Sequence, residues 1–399
     1  MWNLFKLTNL FWLLTSTYIW VTALFNQGPI LIVVNLIMFL CISMLPIKIR
    51  LDIHTGCVVA AMLLIGLWSL WIDGPIMGLT TILMYLPVLW LLQLPLDYKE
   101  DLLKFATKWY AILLIPSLLT YWTTIFINIP SIGMFVHPNY VPFTNYGFFI
   151  KTTWDSGFFL RFNAFFLEPG HQALLSTFIM IANRFQFRKC PWLWILLIST
   201  LFSFSLAGYL LAATGYVLLK VNTLLKGLVV GALGTLMIVV ALNWSGGNNA
   251  LNDLILTRLE QDSSRGIKGN NRVDHNTDHT FAKAVKNKDL WMGVKDKTNM
   301  SLIAGAGFKI YIINYGLVGV ILAALFYLCV IPPRPDYRYT VAFFIVIVLC
   351  FMQRAYPSWY SWLFPYVMGI YIAKGEKDKR LESQYYNSDE TTSDSAYTL

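Results

Sequence analysis

Charge is what this chain has least of. Only 13% of its 399 residues are Asp, Glu, Lys or Arg, about half the share of an ordinary soluble domain. The charged residues that its long apolar runs include, Lys6, Lys108, Lys220 and Lys309, stand at the runs' ends. The mid-membrane ionisable groups on which proton- and ion-coupled carriers rely are therefore missing. Cysteine is scarce as well. The five (Cys41, Cys57, Cys190, Cys329, Cys350) avoid both long polar segments, 129–171 and 244–307, which excludes a disulfide framework and a thiolate metal site. Basic residues never interleave with aromatics in a nucleic-acid-reading pattern, so the net charge of +9 does not point to nucleic acid as a partner. There is no repeat of solenoid period. The first apolar run has no A-x-A-like cleavage site and reads as a retained anchor.

What is present is hydrophobic: 57% of the residues. We read roughly twelve membrane spans, at 5–25, 29–47, 56–72, 75–94, 108–128, 172–183, 191–203, 206–221, 227–243, 308–330, 340–352 and 360–373. The fold class expected is an all-α integral membrane protein with about 12 transmembrane helices (10–12) and two elaborated outer loops. The basic residues orient it. Short segments on one side hold 17 of the 30 Lys and Arg, including Lys48, Lys104, Arg184, Lys220, Arg338 and Arg380. The opposite short segments hold Lys151, Arg161 and Arg354, and ten more lie in 244–309. Cytoplasmic loops retain Lys and Arg while long translocated loops escape that rule. Both termini are thus expected in the cytoplasm, and 129–171 and 244–307 outside. Trp68–Trp71 and Tyr356–Tyr360 are aromatic-rich span ends of the interfacial kind.

One membrane domain, 1–374, accounts for most of the chain. The outer middle loop, 129–171, carries turn signals such as His137-Pro138-Asn139 and Asn145-Tyr146-Gly147. In the large outer loop, 244–307, helical spacing of Leu251, Leu254, Ile255 and Leu259 predicts a helix over about 250–261, and a second is expected over 278–288. The polar residues 375–399, with seven Ser/Thr from Leu381 onward, are expected to form a disordered cytoplasmic tail.

The ionisable groups of interest gather at the outer boundary: Arg161, Glu168, His171, Arg258, Arg265, Arg272, His275, His279 and Arg354. Arginine forks suit phosphate oxygens. Each residue also has a plainer role open to it. Arg161 and Glu168 can pair at the interface, His171 can cap the following span, and Arg354 can anchor by snorkelling. His275 and His279, spaced i, i+4, could ligate a metal on a helix, but Asp274–His279 reads better as a solvated loop. We expect no metal site and no cofactor. Ser203 and Ser205 can cap the span that starts at 206, making its N-terminus friendly to anions.

The run Arg161-Phe162-Asn163-Ala164-Phe165-Phe166-Leu167-Glu168-Pro169-Gly170-His171-Gln172-Ala173 leads directly into a span. With the large late outer loop and Tyr315-Gly316-Leu317-Val318-Gly319 in the next span, it resembles the O-antigen polymerase and ligase family. The resemblance covers most of the chain through its order of elements, and the polymerase members fit better. It implies a bacterial inner-membrane glycosyltransferase of cell-surface polysaccharide biosynthesis (O-antigen of lipopolysaccharide, capsule or exopolysaccharide). That enzyme joins repeat units carried on undecaprenyl pyrophosphate, by inverting, metal-independent transfer. Catalytic roles are then implied for Arg161, Glu168, Arg272, His275 and His279, and substrate or pyrophosphate contacts for Arg258, Arg265, Arg354, His171 and Ser205. Its implied partners are the lipid-linked oligosaccharide, membrane lipids, a chain-length regulator and a flippase. Two departures stand out. Arg161 and Gly170 enclose eight residues, where polymerases are described with ten and Arg258 and Gly269 do enclose ten; and Ser205 is followed by Leu206 rather than Arg. An O-antigen ligase is the alternative enzyme. A lipid-linked oligosaccharide flippase or transporter is the alternative from another class, disfavoured by the charge-free span interiors.

Overall fold

The computed structural model describes residues 1–17, 19–20, 27–49, 52–136, 142–152, 161–221, 261–262, 266–267, 275–294 and 307–395. These residues are mostly helical. Four helices are long and apolar enough to cross a membrane: α3 (Ile53–Asp73), α4 (Pro75–Gln93), α5 (Leu96–Phe126) and α11 (Gly307–Cys329). Shorter apolar helices accompany them: α2 (Gln27–Met44), α7 (Trp192–Phe202), α8 (Leu206–Lys220) and α12 (Tyr337–Gln353). The remaining helices are α1 (Trp2–Thr15), α6 (Pro169–Ala182), α9 (His275–Lys286), α10 (Asp289–Met292) and α13 (Tyr360–Ser395). This is the architecture of an α-helical membrane protein. The expected span 227–243 and helix 250–261 lie outside the described residues.

At the centre stands α6, whose residues from Gly170 to Ala182 are all buried. A helix apolar on every side belongs inside a bundle. Several of its polar groups bond to neighbouring helices. Gln172 Nε2 donates to Ser199 Oγ of α7 at 2.7 Å, and Tyr110 of α5 meets Ser176 Oγ at 3.1 Å. Asn183, just past the helix, donates to Thr107 of α5 at 3.0 Å. Such contacts tie helices together where no water competes for them.

Several elements depart from expectation, each for a local reason. The first helix ends at Thr15, well short of 25. Thr15, Ser16 and Thr17 turn their hydroxyls back to the carbonyls of Trp12 and Leu13, satisfying the helix's terminal acceptors. Trp20 then joins the middle loop through its N–H to Phe165 O at 3.0 Å. Helix α5 starts at Leu96, twelve residues before the expected 108, so Lys99, Lys104 and Lys108 are helical rather than in a loop. Asp97 favours its first turn, and Glu100–Lys104 form an i, i+4 pair at 3.7 Å. The middle loop, read as turns alone, carries a three-stranded antiparallel sheet: β1 (Gly133–Phe135), β2 (Phe143–Asn145) and β3 (Ile150–Thr152). A second small hairpin pairs β4 (Gln261–Asp262) with β5 (Gly266–Ile267).

The tail is a correction too. Helix α13 continues to Ser395, where a disordered segment was expected from 375. Lys374 pairs with Asp378 at 2.7 Å, and Arg380 Nε donates to Glu376 O at 3.3 Å. Beyond Gly375 the segment has no Gly or Pro, so i, i+4 pairs and strong helix formers carry it on.

Candidate functional site

The chain enters α6 through Glu168-Pro169-Gly170-His171. Pro169 takes the first helical position, where a missing N–H costs nothing, and Glu168 is the N-cap residue. Into this entrance comes Arg354, the residue that ends α12. Its guanidinium donates to the Glu168 carboxylate and lies 2.7 Å from His171 Nε2. Arg354 is 7% exposed and His171 1% exposed, while the Glu168 side chain keeps 29%. Burial alone pushes the Arg354 pKa down. The Glu168 carboxylate, through charge and hydrogen bond, outweighs that, and the net direction is upward.

Gly170 gives the guanidinium its room. A Cβ there would stand 2.6 Å from Arg354 Nη2. On the other side, Gly307 at the start of α11 lies against the backbone of Arg354 and Ala355. The large loop thus returns to the bundle beside the Arg354 cluster. Helix α9 docks there: Asp278 pairs with Lys309, and Phe281 meets Phe308 edge-on at 5.9 Å. Farther along, Val294 N donates to Ile313 O at 2.8 Å, and Gly316 interrupts α11 with φ 66°. Leu290–Gly293 and Tyr315–Gly319, separate stretches of sequence, are packed together, for a Cβ on Gly316 would lie 2.1 Å from Trp291 O.

Arg161 belongs to an adjoining corner. Its Nε donates to Ser203 O at 3.3 Å, in the turn between α7 and α8. Ser205 is the N-cap of α8, its Oγ accepting from Gly208 N at 3.3 Å, and Gly208 packs directly on Ala173 of α6. This corner therefore touches α6 two residues from His171.

The structure assembles Glu168, His171 and Arg354 into one hydrogen-bonded cluster, with Arg161 and Ser205 beside its supporting helix. The plain pairing of Arg161 with Glu168 does not describe it: Glu168 pairs with Arg354, and Arg161 holds a carbonyl. His171 is no cap, because its N–H bonds to Glu168 O at 3.1 Å and its ring to Arg354. His279 is exposed on α9, and His275 opens that helix. Arg258, Arg265 and Arg272 lie outside the described residues.

One component escaped sequence reading. Tyr356 and Trp359 stack at 4.0 Å with an interplanar angle of 4°, and His171 meets Trp359 edge-on at 5.0 Å. By sequence the two aromatics read only as part of an interfacial belt. The signal available was their place two and five residues after Arg354. Tyr356 remains 41% exposed, so a buried guanidinium, a carboxylate, an imidazole and an accessible aromatic face share one end of the bundle.

Compared with family models, curated proteins and solved structures, the chain matches none.

Proposed function

We propose that this protein is a polymerase of bacterial cell-surface polysaccharide, acting at the outer face of the inner membrane on repeat units carried by undecaprenyl pyrophosphate. The observation that carries the reading is the Glu168–His171–Arg354 cluster at the mouth of the central helix. Inverting transfer breaks the bond between the sugar's anomeric carbon and the pyrophosphate oxygen, and forms one to the acceptor hydroxyl oxygen. Negative charge grows on the departing pyrophosphate, and the hydroxyl must lose its proton. A guanidinium supplies paired donors for phosphate oxygens. Glu168, the most exposed of the three, is the natural proton acceptor, and Arg354 keeps it oriented. Arg161, at the N-terminus of α8, adds positive potential beside the leaving group. Tyr356 offers its face to a sugar ring.

The experiment is comparison of Arg354→Lys and Arg161→Lys with the parent protein in membrane vesicles, at matched abundance. Lysine keeps the charge and loses the planar fork. Loss of one transition-state donor costs on the order of 10²–10³ in rate, so single repeat units should accumulate in place of long glycans. Glu168→Gln should do the same. Unchanged chain length in all three variants would reject the proposal. Transfer of finished glycan to a second lipid, with no elongation, would favour the ligase.

A further inference from the structure

The opposite end of the bundle has its own polar site. Helix α12 runs 17 residues from Tyr337 to Gln353, about 25 Å, so Arg338 and Arg354 lie near its two ends. Around Arg338, α8, α12 and α13 enclose a cavity of about 540 Å³ whose charged lining is Arg184, Lys220, Asp336, Arg338, Lys377 and Arg380. An apolar groove of about 360 Å³ adjoins it between α8 and α12, walled by Leu218, Tyr337, Val341, Ala342 and Ile345. Arg338 lines both.

The basic cavity is not neutralised from within. Asp336 caps α12, accepting from Tyr339 N at 3.3 Å, and lies 3.9 Å from Arg380. Glu376 pairs with Arg184. Even with both carboxylates counted, five cations face two anions. Arg338 is held in place, its Nη2 donating to Val221 O at 3.2 Å and Leu218 O at 3.4 Å at the end of α8. Beside it, Tyr337 is 67% and Val341 54% exposed. A soluble anion would explain the cations but not the groove. A zwitterionic lipid would fill the groove but leave the charge. One molecule satisfying both has a net negative phosphate headgroup and an acyl chain.

We propose that this is a binding site for an anionic phospholipid, its phosphate held by Arg338, Lys220 and Arg380 and one acyl chain lying along Val341 and Ile345. Basic pockets between helices on the positively charged side of a membrane protein take such headgroups. The inference is independent of the proposed enzymatic activity.

The test is native mass spectrometry of the full chain in detergent, delipidated and then titrated with dioleoylphosphatidylglycerol, dioleoylphosphatidylcholine or inorganic phosphate. Phosphatidylglycerol should be retained in preference to phosphatidylcholine. Lys220→Gln or Arg380→Gln should weaken retention on the order of fivefold each, and the pair about twenty-five-fold. Ile345→Trp, which fills the groove without touching a charge, should weaken lipid retention and leave phosphate binding alone. Monodisperse gel filtration and parental helicity confirm that each variant is folded. Equal retention of the two lipids, or parental affinity in the doubly substituted protein, would overturn the proposal. Displacement of the lipid by an equal concentration of inorganic phosphate would reassign the cavity to a free anion. Failure of any lipid to bind would mean that another part of this chain covers the groove.

Discussion

Arg354 links the end of α12 to the entrance of α6 and to the start of α11. A guanidinium that is 7% exposed is tolerated only with its charge matched, and Glu168 supplies the match from 186 residues away. Removing one partner leaves an uncompensated buried charge, which costs about 3–5 kcal/mol; removing both costs far less. Glu168→Leu should therefore lower the detergent melting temperature more than Glu168→Leu combined with Arg354→Met. Strictly additive losses in that double-mutant cycle would show the pair to be energetically unlinked. Gly170→Ala places its Cβ 2.6 Å from Nη2 and should displace the guanidinium. We expect polymer length to fall while protein abundance is kept, read by glycan gel profiles and immunoblotting. The run from Arg161 to Ala173 already drew attention to Glu168, Gly170 and His171. It contained nothing that could select Arg354 over Arg161 as the partner, because both are arginines of outer segments.

At the scale of elements, α11 shows how an apolar span acquires a bend. Gly316 adopts φ 66° and ψ −179°, which breaks the helical ladder and leaves carbonyls to be taken by others. Trp68 Nε1 takes Tyr315 O at 2.8 Å, and Val294 N takes Ile313 O at 2.8 Å. The bend thus anchors the end of the large outer loop. Gly316→Ala meets both a disfavoured backbone conformation and the Trp291 carbonyl. It should release that anchor, and limited proteolysis should cut within 275–294 faster than in the parent. An unchanged cleavage rate would show that the loop is held elsewhere. Apolar run length located the ends of α4, α7, α8, α11 and α12 to within a few residues, since a continuous hydrophobic run ends where polarity resumes. It overshot α1 and undershot α5 and α13. In those places hydroxyl back-bonding or i, i+4 charge pairs set the boundary, and neither enters a hydrophobicity count.

Across the whole molecule, the two ends differ in kind. The end near Arg354 gathers one buried cation with a carboxylate, an imidazole and stacked aromatics. The end near Arg338 is rimmed by many partly exposed cations. By the positive-inside rule, the distribution of Lys and Arg leads us to expect the second end in the cytoplasm. A cysteine replacing exposed Lys283 on α9 should then react with a membrane-impermeant maleimide from outside intact cells, and one replacing exposed Ser383 on α13 should not. The reverse labelling would invert the orientation and move the proposed chemistry to the wrong face of the membrane.

By itself, the amino-acid order determined that this is a helical membrane protein, where most helices run, and that charged residues gather at their ends. Hydrophobic run length and charge placement are local properties, and the bilayer reads them directly. Only the tertiary structure decided that Glu168 meets Arg354, that Leu290–Gly293 seats against Gly316, and that Tyr356 and Trp359 flank a buried guanidinium. Those outcomes depend on which helices pack around α6 and how closely glycine lets them approach. The sequence distance between Glu168 and Arg354 holds no record of that packing.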